Sequence, residues 1–381
     1  MPKQAIKRNV SLVDLQSQYR QLKPEIDEAL HAVLDSCHFI NGGPVHQFSE
    51  NLARYLDVKH VIPCGNGTDA LQIALMALDL QPGDEVITTP FTFVATAEVI
   101  ALLNLKPVFV DVNPCTFTLN EYQLEAAITE KTRCIIPVHL FGQGANMEAI
   151  LKIAGKHQIP VVEDNAQAIG ADLIFSNGNK QKLGTLGAIG CTSFFPSKNL
   201  GAYGDGGAMF TNDDDLADKI RMIVNHGMKE RYYHDIIGVN SRLDTLQAVV
   251  LDIKLNHLDE YGQARQKAAQ FYSEMLQDEP GLTVPKVARF STHVYHQYTL
   301  LIEEGRDAVR DYLQEAGVAS GVYYPVPLHL QKAYMHYGYQ AGDFPISEDL
   351  AGKVLSLPMH TELTEDVEQY VVDHLKKALN K

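Results

Sequence analysis

The 381-residue sequence is short of the features that mark several large protein classes. Its five cysteines, Cys37, Cys64, Cys115, Cys134 and Cys191, form no C-x-x-C pair and no zinc-like spacing, so neither a disulfide framework nor a metal site is expected. We expect reduced thiols in or near the core, as in a cytosolic protein. No 18-residue stretch is free of polar breaks, which leaves no candidate membrane-spanning helix. Met1–Arg8 lacks the apolar segment of a signal peptide, and a cytoplasmic location is expected. Positive charge is scarce as well: 32 Lys and Arg stand against 47 Asp and Glu, a formal net charge of −15. Nucleic acid and anionic membranes would repel such a chain as a whole, although local basic pockets stay open. Internal repeats and low-complexity tracts are absent too.

What is present is alternation. Pro24 to Cys37 reads as a helix with Leu30, Val33 and Leu34 on one apolar face. Strand-like runs follow at Val61, Asp84 to Thr88, Val108 to Val110, Cys134 to Val138, Val161-Val162, Ala188 to Phe195 and Gly207 to Thr211, separated by helix-period segments such as Ala70 to Leu80 and Met147 to His157. That order implies an α/β fold whose mainly parallel sheet is covered by helices on both faces. From Thr245 to Leu276 the pattern is helical, with a break near His257, and Tyr295 to Ile302 reads as a strand opening a smaller unit. The expected division is residues 1–250 as a large α/β domain and 251–381 as a small C-terminal α+β domain joined through the long helix.

Four segments carry chemistry. In Ser193-Phe-Phe-Pro-Ser-Lys198-Asn-Leu-Gly, a lysine beside Phe194, Phe195 and Pro196 is set to lose water, which lowers its pKa and frees its lone pair for a carbonyl. Taken alone it also reads as an ordinary loop lysine. Asp164 ends the β-branched run Val161-Val162-Glu163, the place where open α/β sheets bind ligands, and a pyridinium N–H would satisfy a carboxylate there. An N-cap is the other reading. Cys64-Gly-Asn-Gly67-Thr68-Asp-Ala-Leu71 precedes a helix and can hold phosphate through backbone N–H groups, or merely cap that helix. Its spacing is neither Walker A nor G-x-G-x-x-G. Phe93, in Thr89 to Ala97, is placed to stack on a flat cofactor, or to fill core.

Phosphate loop, aromatic, Asp, Ser and Lys occur in an order that resembles the DegT/DnrJ/EryC1/StrS family, nucleotide-sugar aminotransferases of fold type I that use pyridoxal phosphate. The resemblance implies that Lys198 carries the cofactor as a Schiff base and that Gly67, Thr68 and Ser193 bind its phosphate. It further implies that Phe93 stacks on the ring, that Asp164 pairs with the ring nitrogen, and that Gln167 lies near the phenolic oxygen. Gly238 to Asp244 matches a family segment that reaches into a neighbouring subunit, so Asn240 would contact the partner's phosphate in a homodimer with shared sites. The same resemblance implies L-glutamate as donor and a nucleotide-linked keto hexose as acceptor, for surface polysaccharide synthesis. Gly204 to Gly207 together with Asn240 to Ala248 looks closest to enzymes acting on UDP-2-acetamido-2-deoxy-3-oxo-glucuronate, with Arg242 meeting the sugar carboxylate or, equally, ordering the dimer. Tyr323-Tyr324-Pro325 departs from the His-Tyr-Pro of that group. Tyr323 and Tyr324 are then substrate-binding candidates without positive charge, and a dTDP-linked 3-keto-6-deoxyhexose or a 4-keto sugar is the alternative. A cofactor-binding regulator without turnover is a reading of another class.

Overall fold

The computed structural model describes residues 8–380; Met1 to Lys7, and with them nearly all of the N-terminal stretch read above, lie outside the described residues, as does Lys381. Strands Lys106–Phe109, Glu85–Thr88 and Thr132–Ile135 pair in that order, all parallel. Parallel bridges Ile135 to Val161 and Val138 to Asp164 join them to Val162–Asp164, Ile189–Ser193, Gly207–Thr211 and His60–Cys64. Gly207–Thr211 alone runs antiparallel to both its neighbours, so the sheet is mixed and mainly parallel.

Successive strand residues explain why helices cover both faces. Ile62, Val86, Cys134, Val162 and Met209 enter one buried cluster with helix Gly67–Ala77. Their neighbours Val61, Ala208 and Phe210 join Phe48, Leu52 and Leu251 in another, and Ile87, Ile135 and Val161 join a third. The two-residue period thus delivers apolar side chains to both sides, as a parallel sheet between helix layers requires.

The first helix differs from its expected bounds. It runs Leu15–Ser36, capped by Asp14, which accepts from the Ser17 N–H at 3.0 Å, and Pro24 lies inside it. Pro24 forfeits one intrahelical bond, but the turn before it buries Leu22, and Ile26 and Val33 continue that face. Leu34 is exposed instead, one residue off the stripe. The helical stretch from Thr245 breaks where expected, into Thr245–Leu255 and Leu258–Leu276. Cys64, Cys134 and Cys191 are buried, whereas Cys37, capping the first helix, and Cys115 are exposed, which corrects the placement of all five near the core.

Leu282–Thr283, Tyr298–Ile302 and Val354–Leu357 form a small antiparallel sheet. Its core joins Tyr298, Leu300 and Leu355 to Tyr272 and Leu276 of the long helix, to Val371, and to Val10 from the other end of the chain. The strand begins at Tyr298, not Tyr295, because Tyr295 adopts φ 43° and the preceding residues pair elsewhere. Among the described residues no helix is long and apolar enough to cross a membrane.

The C-terminal part folds back on the sheet's carboxyl edge. The Leu328 N–H donates to the Pro90 carbonyl at 2.8 Å, and Leu350, Ala351 and Val354 pack with Phe91, Val112 and Phe117. Asp111 fastens this return. Its buried carboxylate accepts from the N–H groups of Ile346 and Ser347 at 2.9 and 3.0 Å and from the Ser347 hydroxyl at 2.6 Å. Asp111→Ala leaves those donors unpaired and is expected to cost about 2 kcal/mol, with Asp111→Asn costing less. Urea unfolding with an unchanged m-value measures it; a midpoint equal to wild type contradicts the assignment.

Candidate active site

A cavity of about 470 Å³ opens at the carboxyl end of the sheet, between the helix starting at Gly67, the lysine loop and the returning C-terminal part. Lys198, Asp164, Gln167, Gly67, Thr68, Phe93, Ser193, Tyr323 and Tyr324 all line it. Residues far apart in sequence meet because each closes a strand or opens the element that follows.

The lysine loop is closed by its own backbone. The Lys198 N–H donates to the Phe195 carbonyl and the Ala202 N–H to the Phe194 carbonyl, both at 2.8 Å, and the buried Lys254 ammonium caps the Gly201 carbonyl at 2.6 Å. Among the described residues the Lys198 amine has neither an ion pair nor a hydrogen bond. Burial lowers its pKa to about 8, opposed by the charge of Asp164. Lys198 is half-buried, whereas Asp164 is buried. Its carboxylate accepts from the Thr96 hydroxyl at 2.8 Å and the Ala166 N–H at 3.2 Å, yet desolvation still holds its pKa above the usual carboxylate value. A buried carboxylate facing an open cavity, with no cation in contact, is suited to a ligand that brings a proton.

At the other end, Asn66 caps the helix Gly67–Ala77 by accepting from the Asp69 N–H at 2.8 Å, and the first intrahelical bond runs from Ala70 to the Asn66 carbonyl. The N–H groups of Gly67 and Thr68 precede it and face the cavity end where an anion is favoured. Gly67 must be glycine: a Cβ there would sit 2.6 Å from Ser193 Cβ. The Gln167 side chain accepts from the Phe141 N–H at 2.7 Å and donates to the Tyr324 hydroxyl at 3.1 Å. Burial drives the Tyr324 phenol up, keeping it neutral, and its ring lies between Phe91 and the exposed ring of Phe93. Cavity size, anion-binding helix start, flat wall, buried carboxylate and desolvated amine together fit a phosphorylated aromatic aldehyde.

Asn240 and Arg242 do not line this cavity. Asn240 is exposed, and Arg242 lines a separate hollow of about 460 Å³ with His46, Glu50 and Arg221. Their segment packs behind the glycine turn, where the Ser241 hydroxyl accepts from the Gly65 N–H at 2.9 Å and donates to Asp69 at 2.6 Å. The Arg242 guanidinium has no partner among the described residues. The sequence reading gave no role to Thr96, Phe141, Asp205, His296 or Gln297. Thr96 stands one turn beyond Phe93 in a segment already singled out, whereas the others carry no local signal.

A desolvated lysine and a buried strand-end carboxylate on a mainly parallel sheet define an enzyme of the fold type I transferase class. The DegT/DnrJ/EryC1/StrS aminotransferase family profile matches residues 20–376, and the chain belongs to that family of aminotransferases. It is 50% identical over 369 residues to a pleiotropic regulatory protein of Geobacillus stearothermophilus, covering 96% of this chain and 98% of that one. It is 47% identical to a UDP-2-acetamido-2-deoxy-3-oxo-D-glucuronate aminotransferase of Pseudomonas aeruginosa, covering 93% and 96%. The crystal structure of S. venezuelae DesV in complex with a ketimine intermediate superposes with TM-score 0.94 at 37% identity, over 98% of this chain and 99% of that one.

Because the Lys198 pKa lies near 8, its neutral form grows as pH rises through that value. In cofactor-free protein, labelling of Lys198 by an amine reagent is expected to be half-maximal near pH 8, well below surface lysines. Asp164→Asn removes the charge that favours the ammonium, so the labelling curve moves to lower pH. Peptide mass spectrometry across pH reads both; a curve that stays with the surface lysines refutes the desolvation argument.

Proposed function

We propose that the enzyme moves an amino group from L-glutamate to C3 of UDP-2-acetamido-2-deoxy-3-oxo-D-glucuronate, a step toward surface polysaccharide, in a homodimer whose two sites are shared. Pyridoxal phosphate is the cofactor, and when bound it supplies an aldehyde that accepts the amino group and a ring that withdraws electrons. In this reading Gly67, Thr68 and Ser193 hold the phosphate, Phe93 covers the ring, and Gln167 meets the phenolic oxygen. The Asp164 carboxylate keeps the ring nitrogen protonated, with Thr96 holding it in place. Lys198 anchors the aldehyde, then as free amine takes the proton from the donor's Cα and returns it at the far end of the transfer. A pKa near 8 leaves the amine able to do both at neutral pH. The division into domains 1–250 and 251–381 belongs to the same proposal, with the cavity lying between them.

The observation that carries the dimer is a shortage of charge. Among the described residues Lys198 is the one Lys or Arg lining the cavity, against Asp164 and Asp205. A substrate with carboxylate and diphosphate groups needs more, and Arg242, without a partner among the described residues, would supply it to a neighbouring subunit together with Asn240. Similarity to the Pseudomonas enzyme supports the uronate. One observation favours the neutral sugar instead: Tyr323 and Tyr324 carry no charge and Asp205 would repel a carboxylate on this chain's own wall.

Lys198→Ala is expected to abolish the borohydride-stable link between chain and cofactor, and Asp164→Asn to slow transamination on the order of a hundredfold while the cofactor stays bound. A link that survives Lys198→Ala, or a near-normal rate in Asp164→Asn, refutes the respective role.

Mixing inactive Lys198→Ala chains with inactive Arg242→Ala chains tests the shared site. Random exchange gives dimers with one intact site, so about a quarter of the wild-type activity should return. No recovery despite demonstrated exchange rules out sharing. Full activity of Arg242→Ala on the uronate alone, with a 6-deoxy substrate also turned over, transfers the assignment to the neutral sugar.

A further inference from the structure

Several polar side chains around the Lys198 cavity are already tied to protein: Asp164 to Thr96 and Ala166, Gln167 to Phe141 and Tyr324, and the Ser193 hydroxyl accepts from the Phe195 N–H at 3.3 Å. Thr68, Ser197, Asp205 and Tyr323 line the cavity with no side-chain hydrogen bond among the described residues, as do His296 and Gln297, but of all these His296 alone is buried. His296 is only 5% exposed; its Nδ1 is sealed without a partner, and Nε2, which has no hydrogen bond among the described residues, is the ring nitrogen open to a ligand. An unpaired buried imidazole costs about 1–3 kcal/mol, so one facing a cavity is suited to a ligand.

The backbone of this stretch is anything but loose. The Val294 N–H donates to the Gly142 carbonyl at 2.8 Å, the Gln297 N–H to the Phe141 carbonyl at 3.2 Å, and the Asn199 amide to the Val294 carbonyl at 2.9 Å. Arg265, buried in the long helix, donates to the Tyr295 carbonyl at 3.0 Å and the Met359 carbonyl at 2.9 Å. Gly142, at φ +112°, lets the two segments touch, for a Cβ there would lie 2.8 Å from the His296 backbone nitrogen. The stretch is therefore clamped to the residue after Lys198 on one side and, through Phe141, to Gln167 on the other. Two unsatisfied side chains on a rigid wall beside the reacting amine are what a selective contact requires.

We propose that His296 and Gln297 are specificity-determining residues that hydrogen-bond uncharged hydroxyl or acetamido groups of the acceptor sugar. This rests on the aminotransferase reading of the same cavity and adds the chain's own half of the sugar contact. Burial and the positive charges of Lys198 and Arg265 keep the imidazole well below its ordinary pKa, hence neutral. A neutral imidazole and a primary amide offer both donor and acceptor sites, which match hydroxyls, and neither offers charge to the carboxylates of an amino-acid donor. Discrimination is therefore expected between the two half-reactions.

Holoenzyme carrying Gln297→Leu, His296→Phe or His296→Gln is compared with wild type. Three measurements are made: the cofactor's absorption spectrum, the two half-reactions followed separately, and calorimetric binding of UDP-N-acetylglucosamine, which cannot react. For Gln297→Leu and His296→Phe the ratio of acceptor to donor kcat/KM should fall roughly tenfold to a hundredfold, mostly through acceptor KM, and UDP-N-acetylglucosamine should bind more weakly by a similar factor. His296→Gln, which keeps a hydrogen-bonding edge, should recover part of both losses. Gln297 is half-buried, so its variant stays informative if His296→Phe fails to fold. Equal losses in both half-reactions, or unchanged sugar binding, overturn this inference while leaving the aminotransferase reading intact. If no nucleotide keto sugar converts the wild-type cofactor's amine form back to the aldehyde, and no nucleotide sugar binds, both fall together.

Discussion

Removing water from Lys198 while keeping Asp164 close, but not in contact, is the constraint around which the rest of the molecule is arranged. Desolvation acts on the two groups in opposite senses: it lowers the lysine's pKa and raises the carboxyl's. Left to themselves the pair would relax into an ion pair, and the amine would lose its lone pair to a bound proton. The fold prevents that contact by giving each group a separate anchor. Asp164 ends a strand and is held by Thr96 from the neighbouring helix, while Lys198 sits in a loop locked by Phe194, Phe195 and the Lys254 cap on Gly201.

Several costly features of the chain become intelligible in that setting. Among the described residues the buried Lys254 ammonium has no carboxylate partner and a pKa near 8, and its bond to the Gly201 carbonyl stiffens the lysine loop. Gly67 gives up helix propensity so that the helix start can close on Ser193. Glu163, adjacent to Asp164 and fully buried, accepts from the N–H groups of Gly184, Leu186 and Gly187 and pairs with His139 at 2.9 Å. The strand that presents Asp164 is thereby fixed from its other face as well.

The cavity is also a product of distance along the chain. Residues between 66 and 205 line one side, and His296, Gln297, Tyr323 and Tyr324 form the opposite wall. Asp111 and the bond from Leu328 to Pro90 hold that wall against the sheet. Among the described residues Lys198 is the one Lys or Arg lining the cavity, against Asp164 and Asp205, and this shortage of positive charge is what the proposed second copy would offset.

Much of this was legible in the amino-acid order because it is local. The strand positions follow from apolar runs bounded by polar turns, the Met147–His157 helix from its period, and the break at His257 from the end of one apolar pattern and the start of another. Lys198, Asp164, Gly67, Thr68 and Ser193 sit in short segments whose residue types already limit their chemistry. Pro24 misled, since a proline reads locally as a helix start and only packing of Leu22 and Ile26 shows that the helix tolerates it. His296 and Gln297 were invisible for the opposite reason: nothing in Tyr295-His296-Gln297-Tyr298 marks a site, and their position depends on bonds to Phe141, Gly142 and Asn199, up to about 150 residues away. The sequence by itself therefore determined the sheet, the family motifs and the segment that holds the Lys198 amine. Tertiary structure alone decided how dry that amine is, which polar groups remain unpaired beside it, and that Arg242 lies outside its own chain's cavity, because burial and orientation are set by contacts between segments that no local pattern encodes.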